Sequence, residues 1–452
     1  MSDLRALAID VPELLLPVDG TDMSRWAVIA CDQYTSQRDY WDRLDAHVGA
    51  APSTLRLVFP EAYLDDGDEA ERVAAIHACM QRYLDQGVLA PARRALVYVE
   101  RRTSQVACRR GLVVALDLEH YDFRAGAQTL ARATERTVEA RLPARVRVRE
   151  GAAIELPHVM VLIDDPERSV IEPLAGHVAG ATPLYDAELW PDAGQVRGHA
   201  IEAPPELQRI ADALASLARP EAFHARYGVE DQEVLLYAVG DGNHSLAAAR
   251  VLWEELRMDL SAADRESHPA RFALVELVNV HDAGLVFEPI HRLVFDIDPA
   301  ALLDAACSWF SEHGSRCTLE RVDGEAALRA RLAELWRKAD GRHVIGFTHA
   351  GSCGVLAVEW PRVQLPVGSL QAFLDAHVAK HPDASIDYIH GDDVVRSLAA
   401  GEMRIGFYLP AMDKSDLFKT VVVDGALPRK TFSMGEADEK RFYLEARRIL
   451  PG

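Results

Sequence analysis

LLYAVGDGNHSLAAARVLWEEL, residues 235–256, is the stretch that decides how the centre of this chain folds. An apolar run leads into Gly240-Asp241-Gly242 and continues directly into an Ala-rich segment with helical spacing of its apolar residues. Glycines permit a tight turn and let a ligand approach the backbone closely. The pattern predicts a buried strand over 234–240, a tight turn, and a helix over 245–256.

The predicted turn has the properties of an anion-binding site. A helix N-terminus carries unpaired N–H groups and a partial positive charge, and both favour phosphate. No GxxxxGK[ST] sequence is present, so the turn is not a P-loop. We assign Asp241 and His244 as catalytic candidates and Asp241 also as a magnesium ligand. The residues expected to contact the phosphates are Gly240, Gly242, Asn243 and Ser245.

A purely structural role for this turn is the alternative. Asn243 or Ser245 would then cap the helix, since both residue types are favoured at helix N-termini. Gly240 and Gly242 would only reverse the chain direction.

Outward from the turn, predicted strands and helices alternate along the whole chain, which indicates an α/β or α+β fold with mixed sheets. Predicted strands cover 26–31, 95–101, 111–118, 158–166, 271–280 and 288–297, and predicted helices cover 38–49, 68–86 and 206–218. We expect a main domain over 1–297 and a small α+β subdomain over 298–361. The C-terminal region 362–452 is expected to pack back on the main domain, with a last helix over about 435–449.

Composition excludes several classes of partner. The chain has 49 Lys and Arg against 70 Asp and Glu, a net charge of −21, so its surface repels nucleic acid and anionic membranes. No run of about 18 apolar residues is present, and the N-terminus lacks the basic start of a signal peptide. The six cysteines form no CxxC pair, which favours free thiols. We expect a cytoplasmic protein.

Two groups of cations could assist phosphate binding. One is an Arg-rich stretch within 129–151, and the other is the pair His291 and Arg292 in EPIHRLV. Arginine forks suit phosphate or carboxylate, whereas Glu135 and Glu139 at helical spacing also fit an ordinary solvated face. Within the stretch we assign Arg132 and Arg136 to the cofactor; its other arginines are Arg141, Arg145, Arg147 and Arg149.

Polar residues elsewhere are candidates for substrate binding, with surface loops as the alternative. Asp32, Gln33 and Tyr34 follow a predicted strand, where α/β proteins often place a site. The remaining substrate-binding candidates are Glu135, Arg429 and Lys430. His390, Asp392 and Asp393 lack a second histidine at helical spacing, so we do not expect zinc there.

Several motifs together resemble one family. VGDGNHSLAAA is similar to the DGHHR-type turn of the family called domain of unknown function 1015. Six further segments resemble one branch of that family. They are CDQYTSQRDYW (31–41), APSTLRLVFPE (51–61), ARFALVELVNVHD (270–282), FEPIHRLV (287–294), SIDYIHGDDVV (385–395) and LPRKTFSMGEADEKRFYLEARRI (427–449).

The resemblance implies a ParB/sulfiredoxin-like nucleotide-binding core, a wider group in which free serine kinases occur. It implies transfer of phosphate from ATP or ADP with Mg²⁺ to a small hydroxyl compound such as L-serine. Asn243 and Ser245 stand where the family commonly has His and Arg, and the lost Arg removes a bidentate phosphate fork. Arg132, Glu135, Arg136 and Thr137 match the family's Arg-Thr-His-Glu-like motif in part.

Three functional interpretations remain open from the sequence. The first is a small-molecule kinase, because phosphoryl transfer depends mainly on positioning and charge neutralisation. The second is a regulator that binds a nucleotide or metabolite without turnover. The third, a hydrolase using Cys31 or Ser245, lacks supporting residue spacing. The sequence leaves a homo-oligomer open.

Overall fold

A computed structural model of the chain describes residues 3–137, 142–338 and 340–451. The chain divides into two compact units: the first unit is Met1–Val286 with Met434–Gly452, and the second unit is Phe287–Ser433. This grouping differs from the expected boundaries near 297 and 361. Strand Phe287–Phe295 pairs with Ser385–His390 and Arg404–Tyr408, so its hydrogen bonds hold it in the second unit.

The first unit is built on a ten-stranded mixed sheet, which confirms the predicted fold class. Parallel pairs join Met160–Ile163 to Phe272–Asn279, and join Ala131–Ala133 both to Tyr237–Asp241 and to Tyr121–Asp122. The other pairs are antiparallel. The order across the sheet is Tyr185–Glu188, Gln195–Ile201, Leu96–Arg102, Arg109–Asp117, Phe272–Asn279, Met160–Ile163, Tyr237–Asp241, Ala131–Ala133, Tyr121–Asp122, and Ile9–Asp10 pairs with Arg109–Asp117.

The predicted strand, turn and helix are confirmed. The turn strand, Tyr237–Asp241, is followed after Gly242 by the turn helix, Asn243–Leu256. The helix starts two residues earlier than the sequence pattern predicts. It buries Leu246, Ala249 and Trp253 in the core of the first unit. The turn is therefore anchored between the carboxyl end of the turn strand and a packed helix.

Smaller elements complete the first unit. A four-stranded sheet has the order Arg93–Arg94, Glu13–Leu15, Ala446–Arg448 and Ile154–Glu155, and Phe442–Tyr443 pairs with Val28–Ile29. The helices besides the turn helix are Met23–Trp26, Arg38–Val48, Glu69–Asp85, Leu142–Arg149, Leu174–His177, Pro204–Leu217, Pro220–Tyr227 and Ala262–Ser267.

The predicted last helix over about 435–449 is wrong. The segment forms a short 3-10 turn, Ala437–Glu439, followed by the strands Phe442–Tyr443 and Ala446–Arg448. Those strands pair with Val28–Ile29, Glu13–Leu15 and Ile154–Glu155. Tertiary pairing overrides the helix preference of the Glu-, Lys- and Arg-rich sequence, because residues 441–447 are all buried.

The second unit contains a sheet with flanking helices. Its strand order is Arg316–Val322, Ser352–Glu359, His343–His349, Arg404–Tyr408, Phe287–Phe295, Ser385–His390. Its helices are Pro299–Glu312, Glu325–Lys338, Pro366–Val378, Asp392–Ala399 and Lys414–Asp424.

Two further expectations concern the cysteines and membrane-spanning helices. All six cysteines are free thiols, as the sequence predicts. Within 3–137, 142–338 and 340–451, we find no helix that combines the length and apolarity needed to cross a membrane.

A buried ionic cluster ties the C-terminal segment into the first unit. Arg441 lies between Glu276 and Glu445, with its Nη2 atom 2.6 Å from Glu445 Oε2. Its Nε atom donates to the Pro157 carbonyl at 3.1 Å, and Tyr185 Oη donates to Glu445 Oε1 at 2.5 Å. Buried charges are tolerated only when they are paired and hydrogen-bonded, so this segment is held in one position.

We expect Arg441→Met to destabilise the first unit strongly, because it leaves two buried carboxylates without their cation. The cost of breaking such a pair is about 3–5 kcal/mol of unfolding free energy. Urea unfolding followed by tryptophan fluorescence measures it. Arg331→Met is the matched control, since Arg331 pairs with Glu320 and Glu334 on the surface, and its unfolding midpoint should barely change. Equal effects of the two substitutions would contradict the assignment.

Candidate functional site

The turn between the turn strand and the turn helix is tightly packed and has no side-chain cap. Gly242 is the N-cap residue with φ of 77°, and as a glycine it has no side chain that could cap the helix. A Cβ atom on Gly242 would lie 3.0 Å from Val159 Cα, so packing as well as backbone conformation requires glycine. The alternative in which Asn243 or Ser245 caps the helix is therefore not realised.

An ion pair stands at this uncapped helix end. Lys440 Nζ lies 3.3 Å from Asp241 Oδ2, and the Gly242 backbone N–H donates to Asp241 Oδ1 at 2.9 Å. Burial tends to raise the pKa of the Asp241 carboxyl, but Lys440, nearby His158 and the Gly242 N–H together hold it below its usual value. Asp241 is therefore an ionised carboxylate with a cationic partner.

His158 connects the turn helix to the C-terminal segment. Its Nε2 atom is 3.0 Å from Ser245 Oγ, and its Nδ1 atom is 3.0 Å from Tyr443 Oη. His158 Nε2 also lies 3.9 Å from Asp32 Oδ2. We call Asp32, His158, Asp241, Ser245 and Lys440 the turn cluster.

A second group of polar side chains lies beside the turn cluster. Arg145 pairs with Glu61, and the Cys31 backbone N–H donates to Tyr443 Oη at 3.2 Å. Burial raises the pKa of Glu61 although Arg145 opposes the shift. Burial, with Asp32 close by, raises the pKa of the Cys31 thiol to about 12. Cys31 is thus a neutral thiol at physiological pH, which argues against its use as a nucleophile.

A pocket of about 150 Å³ opens next to His158 and Ser245. Its walls are mainly apolar. They come from the turn helix, helices Glu69–Asp85 and Leu142–Arg149, strand Ile154–Glu155 and the segment 57–59. The apolar residues include Leu57, Phe59, Met80, Val148, Ile154, Leu246 and Ala248. The polar groups that line it are Cys31, Glu61, Arg145, Arg149, Glu155, His158, Ser245 and Tyr443. We call it the apolar pocket.

The structure brings some predicted site residues together. Asp32 joins the turn cluster, with Gln33 Nε2 donating to its carboxylate at 3.0 Å. Strand Ala131–Ala133 runs parallel to the turn strand, with Ala133 opposite Val239, so Glu135 and Arg136 emerge at the sheet edge where Asp241 lies.

Other predicted residues have structural roles. Tyr34 stacks on Tyr40 with ring centroids 4.0 Å apart. Arg132 is buried and donates to the carbonyls of Thr129 and Glu233 at 2.9 and 2.6 Å, so it braces the backbone. Arg141 and Glu139 lie outside the described residues.

Four of the predicted residues belong to the second unit. Arg292 is fully buried and donates to Gln371 and to the carbonyls of Arg429 and Lys430. His291 Nε2 lies 2.9 Å from Asp392 Oδ1. These bonds use Arg292 to hold the backbone of the Arg429–Lys430 segment, which is a structural role within that unit.

Sequence reasoning missed several members of the site. Lys440, His158 and Tyr443 were not predicted, and Arg145 was named only as part of the Arg-rich stretch. Lys440 is the single lysine in the acidic run GEADEK, and His158 begins the predicted strand HVMVLIDDP. Neither signal is specific, because the contacts join segments far apart in sequence.

A pre-formed metal site is absent from the part of the chain that the structure describes, where no three His, Cys, Asp or Glu side chains cluster as ligands. Mg²⁺ commonly needs only one or two carboxylates when phosphates supply the remaining ligands. Asp241 meets that requirement, so the residues fit a metal that arrives with a nucleotide.

Comparison with solved structures finds weak similarity. A mutant free serine kinase in complex with AMP shares 12% identity at a TM-score of 0.36, over 77% of this chain and 94% of that one. A mutant of that kinase with ADP gives 12% and 0.35, over 75% and 92%. A conserved hypothetical protein from Pyrococcus furiosus gives 12% and 0.34, over 75% and 95%.

Comparison of sequences identifies the family. No curated protein matches the chain. The family described as "Protein of unknown function (DUF1015)" matches residues 15–377, which is most of the sequence. The chain therefore belongs to the DUF1015 family.

Proposed function

We propose that this protein transfers a phosphoryl group from ATP or ADP to a hydroxyl metabolite at the turn cluster. The observation that carries the proposal is the Asp241–Lys440 pair at the uncapped N-terminus of the turn helix. Helix N–H groups and a buried cation favour phosphate, and a neighbouring carboxylate suits its magnesium ion. The chain is acidic overall, so this is a local concentration of anion-binding groups.

Lys440 would take the place of the arginine that the turn lacks. An ammonium group binds phosphate as a point charge, whereas an arginine forms a bidentate fork. Lys440 is largely buried, with 12% of its side chain exposed, and this lowers the screening of its charge by water. The Asn243 side-chain oxygen is buried without a hydrogen-bond partner among the described residues, and a ligand donor could satisfy it.

The reaction needs a group that accepts the proton of the attacking hydroxyl. The hydroxyl oxygen bonds to the terminal phosphorus, the bond to the bridging oxygen of the nucleotide breaks, and the proton passes to the protein. Asp241 has a lowered pKa, so it is a weak proton acceptor and its role is electrostatic. His158 and Asp32, 3.9 Å apart, are the groups placed to take the proton.

One observation favours the alternative of a regulator that binds a nucleotide without turnover. Asp241 is already neutralised by Lys440. A ligand could therefore be held by the helix end and the cation without any chemical step. A turnover assay distinguishes the two functions, because only a kinase would convert the nucleotide.

We expect Lys440→Met to weaken binding of ADP by at least tenfold, because it removes the buried cation beside the helix end. A tenfold loss corresponds to about 1.4 kcal/mol. Isothermal titration calorimetry measures the affinity, and Lys380→Met, at an exposed position of the second unit, is the matched control. ADP affinity that is unchanged in Lys440→Met would remove the turn cluster from the nucleotide site.

We expect Asp241→Asn and His158→Gln to distinguish metal-assisted nucleotide binding from the phosphoryl transfer step. Both should lower turnover about a hundredfold or more if they provide charge stabilisation and proton transfer. His158→Gln should leave ADP affinity nearly unchanged. Asp241→Asn should alter the magnesium dependence of binding. The assay follows nucleotide conversion with a panel of hydroxyl compounds, and Asp259→Asn, on the surface, is the control. Normal turnover in both variants would contradict these roles.

We expect Cys31→Ala to retain both binding and turnover, because the raised pKa keeps the thiol neutral. Iodoacetamide at pH 8 should therefore modify Cys31 more slowly than a free cysteine, as followed by mass spectrometry of the intact protein. Loss of turnover on selective alkylation of Cys31, together with an inactive Cys31→Ala variant, would support a thiol mechanism instead.

A further inference from the structure

We infer that the apolar pocket holds the body of the hydroxyl acceptor, and that this acceptor is an alcohol with a compact apolar group and not a free amino acid. The inference rests on the proposed function and names the substrate class of that site. It depends on three features of the pocket: its lining, the state of its charges, and its polar end.

The lining selects for apolar groups. The walls are formed by side chains such as Leu57, Phe59, Val148 and Leu246, with Ala248 of the turn helix facing the space. An apolar cavity of about 150 Å³ is large enough to take a benzene-sized group. Burial of a group of that size is favourable at about 25 cal/mol per Å² of apolar surface.

The charged side chains around the pocket stand in ion pairs, although the Arg149 Nε atom is buried without a hydrogen-bond partner among the described residues. Arg145 pairs with Glu61, and Arg149 Nη2 lies 2.5 Å from Glu155 Oε2. Arg447 contacts the other oxygen of Glu155 at 2.6 Å. A free amino acid would bring both an ammonium and a carboxylate into this space. It would have to break these pairs or remain unpaired, and either outcome is costly.

The polar end of the pocket suits a single hydroxyl group. Ser245 and His158 line the pocket and are hydrogen-bonded to each other at 3.0 Å. A hydroxyl placed there can exchange hydrogen bonds with the serine and the imidazole. His158 also belongs to the turn cluster, so the hydroxyl would stand next to the phosphate end of the nucleotide.

The test compares alcohols that share a hydroxyl and differ in their apolar body. Benzyl alcohol and cyclohexylmethanol are the apolar probes, with L-serine and glycerol as polar counterparts. We expect both apolar alcohols to raise the melting temperature at millimolar concentration and to be phosphorylated with ATP and Mg²⁺ in preference to L-serine. Preferential binding or phosphorylation of L-serine would overturn the inference.

Two variants locate the binding site. Ala248→Leu fills the pocket and should weaken benzyl alcohol binding at least tenfold, with ADP affinity changed less than threefold. Ala263→Leu, on an exposed helix position, is the control. Val148→Ala widens the pocket at helix Leu142–Arg149 and should shift the preference towards the larger cyclohexylmethanol, which keeps the test decisive if Ala248→Leu fails to fold.

The outcomes distinguish this inference from the proposed function. Loss of ADP binding in folded Ala248→Leu would assign the pocket to the nucleotide base and overturn the inference, while the kinase function would stand. Apolar alcohols that bind in the pocket of a protein with no affinity for ATP or ADP would support the substrate pocket and contradict the kinase. Absence of alcohol binding alongside normal ADP binding would overturn the inference alone.

Discussion

Arg441 is the residue on which the candidate site depends. Its side chain is 2% exposed, and its guanidinium is held by Glu276, by Glu445 and by the carbonyl of Pro157. A buried charge of this kind requires all of its partners, because each missing partner leaves an uncompensated group in a medium of low polarity. The position of the chain on both sides of Arg441 is therefore fixed by electrostatics.

The neighbours of these bonded atoms are the site residues. Lys440 precedes Arg441 and reaches Asp241, and Tyr443 follows two residues later and binds His158. His158 itself follows Pro157, whose carbonyl accepts from Arg441. One buried ionic cluster thus aligns three segments that are widely separated in sequence, so the residues of the turn cluster are held in place although no single element carries them all.

The sequence predicts those parts of the fold that local pattern controls. The turn strand and turn helix follow from an apolar run, two glycines and helical spacing within 22 residues. The structure of segment 435–449 does not follow from its local pattern, because its strands form only through pairing with residues such as Leu14 and Ile29. Its own Glu, Lys and Arg residues favour a helix, and no local signal reports a partner four hundred residues away.

Site residues whose position depends on contacts between distant segments were likewise not predictable from the sequence. Asp241 and Ser245 were predicted because they stand in the turn, and Asp32 because it follows a strand. Lys440 could not be predicted, since its role comes entirely from its contact with Asp241. The structural role of Arg292 was equally hidden, because burial and backbone acceptors become visible only in three dimensions.

The arginines near residue 145 do not themselves supply the proposed anion site of this acidic chain. Arg147 pairs with Glu69 on the surface, whereas Arg145 and Arg149 turn towards the apolar pocket and pair there with Glu61 and Glu155. Their charges are therefore largely neutralised within the protein, and the number of arginines in the stretch does not indicate that it binds an anionic ligand.

Lys440 differs, because its acidic partner Asp241 stands at the positive end of a helix. A carboxylate in that position is held in its charged form by the helix as well as by the lysine. An arriving phosphate would compete with Asp241 for the same two groups, and a divalent cation carried by the phosphate would resolve the competition by binding both. Under the proposed function, the geometry of this one pair would make the binding of nucleotide and metal interdependent, which is a requirement that neither group imposes alone.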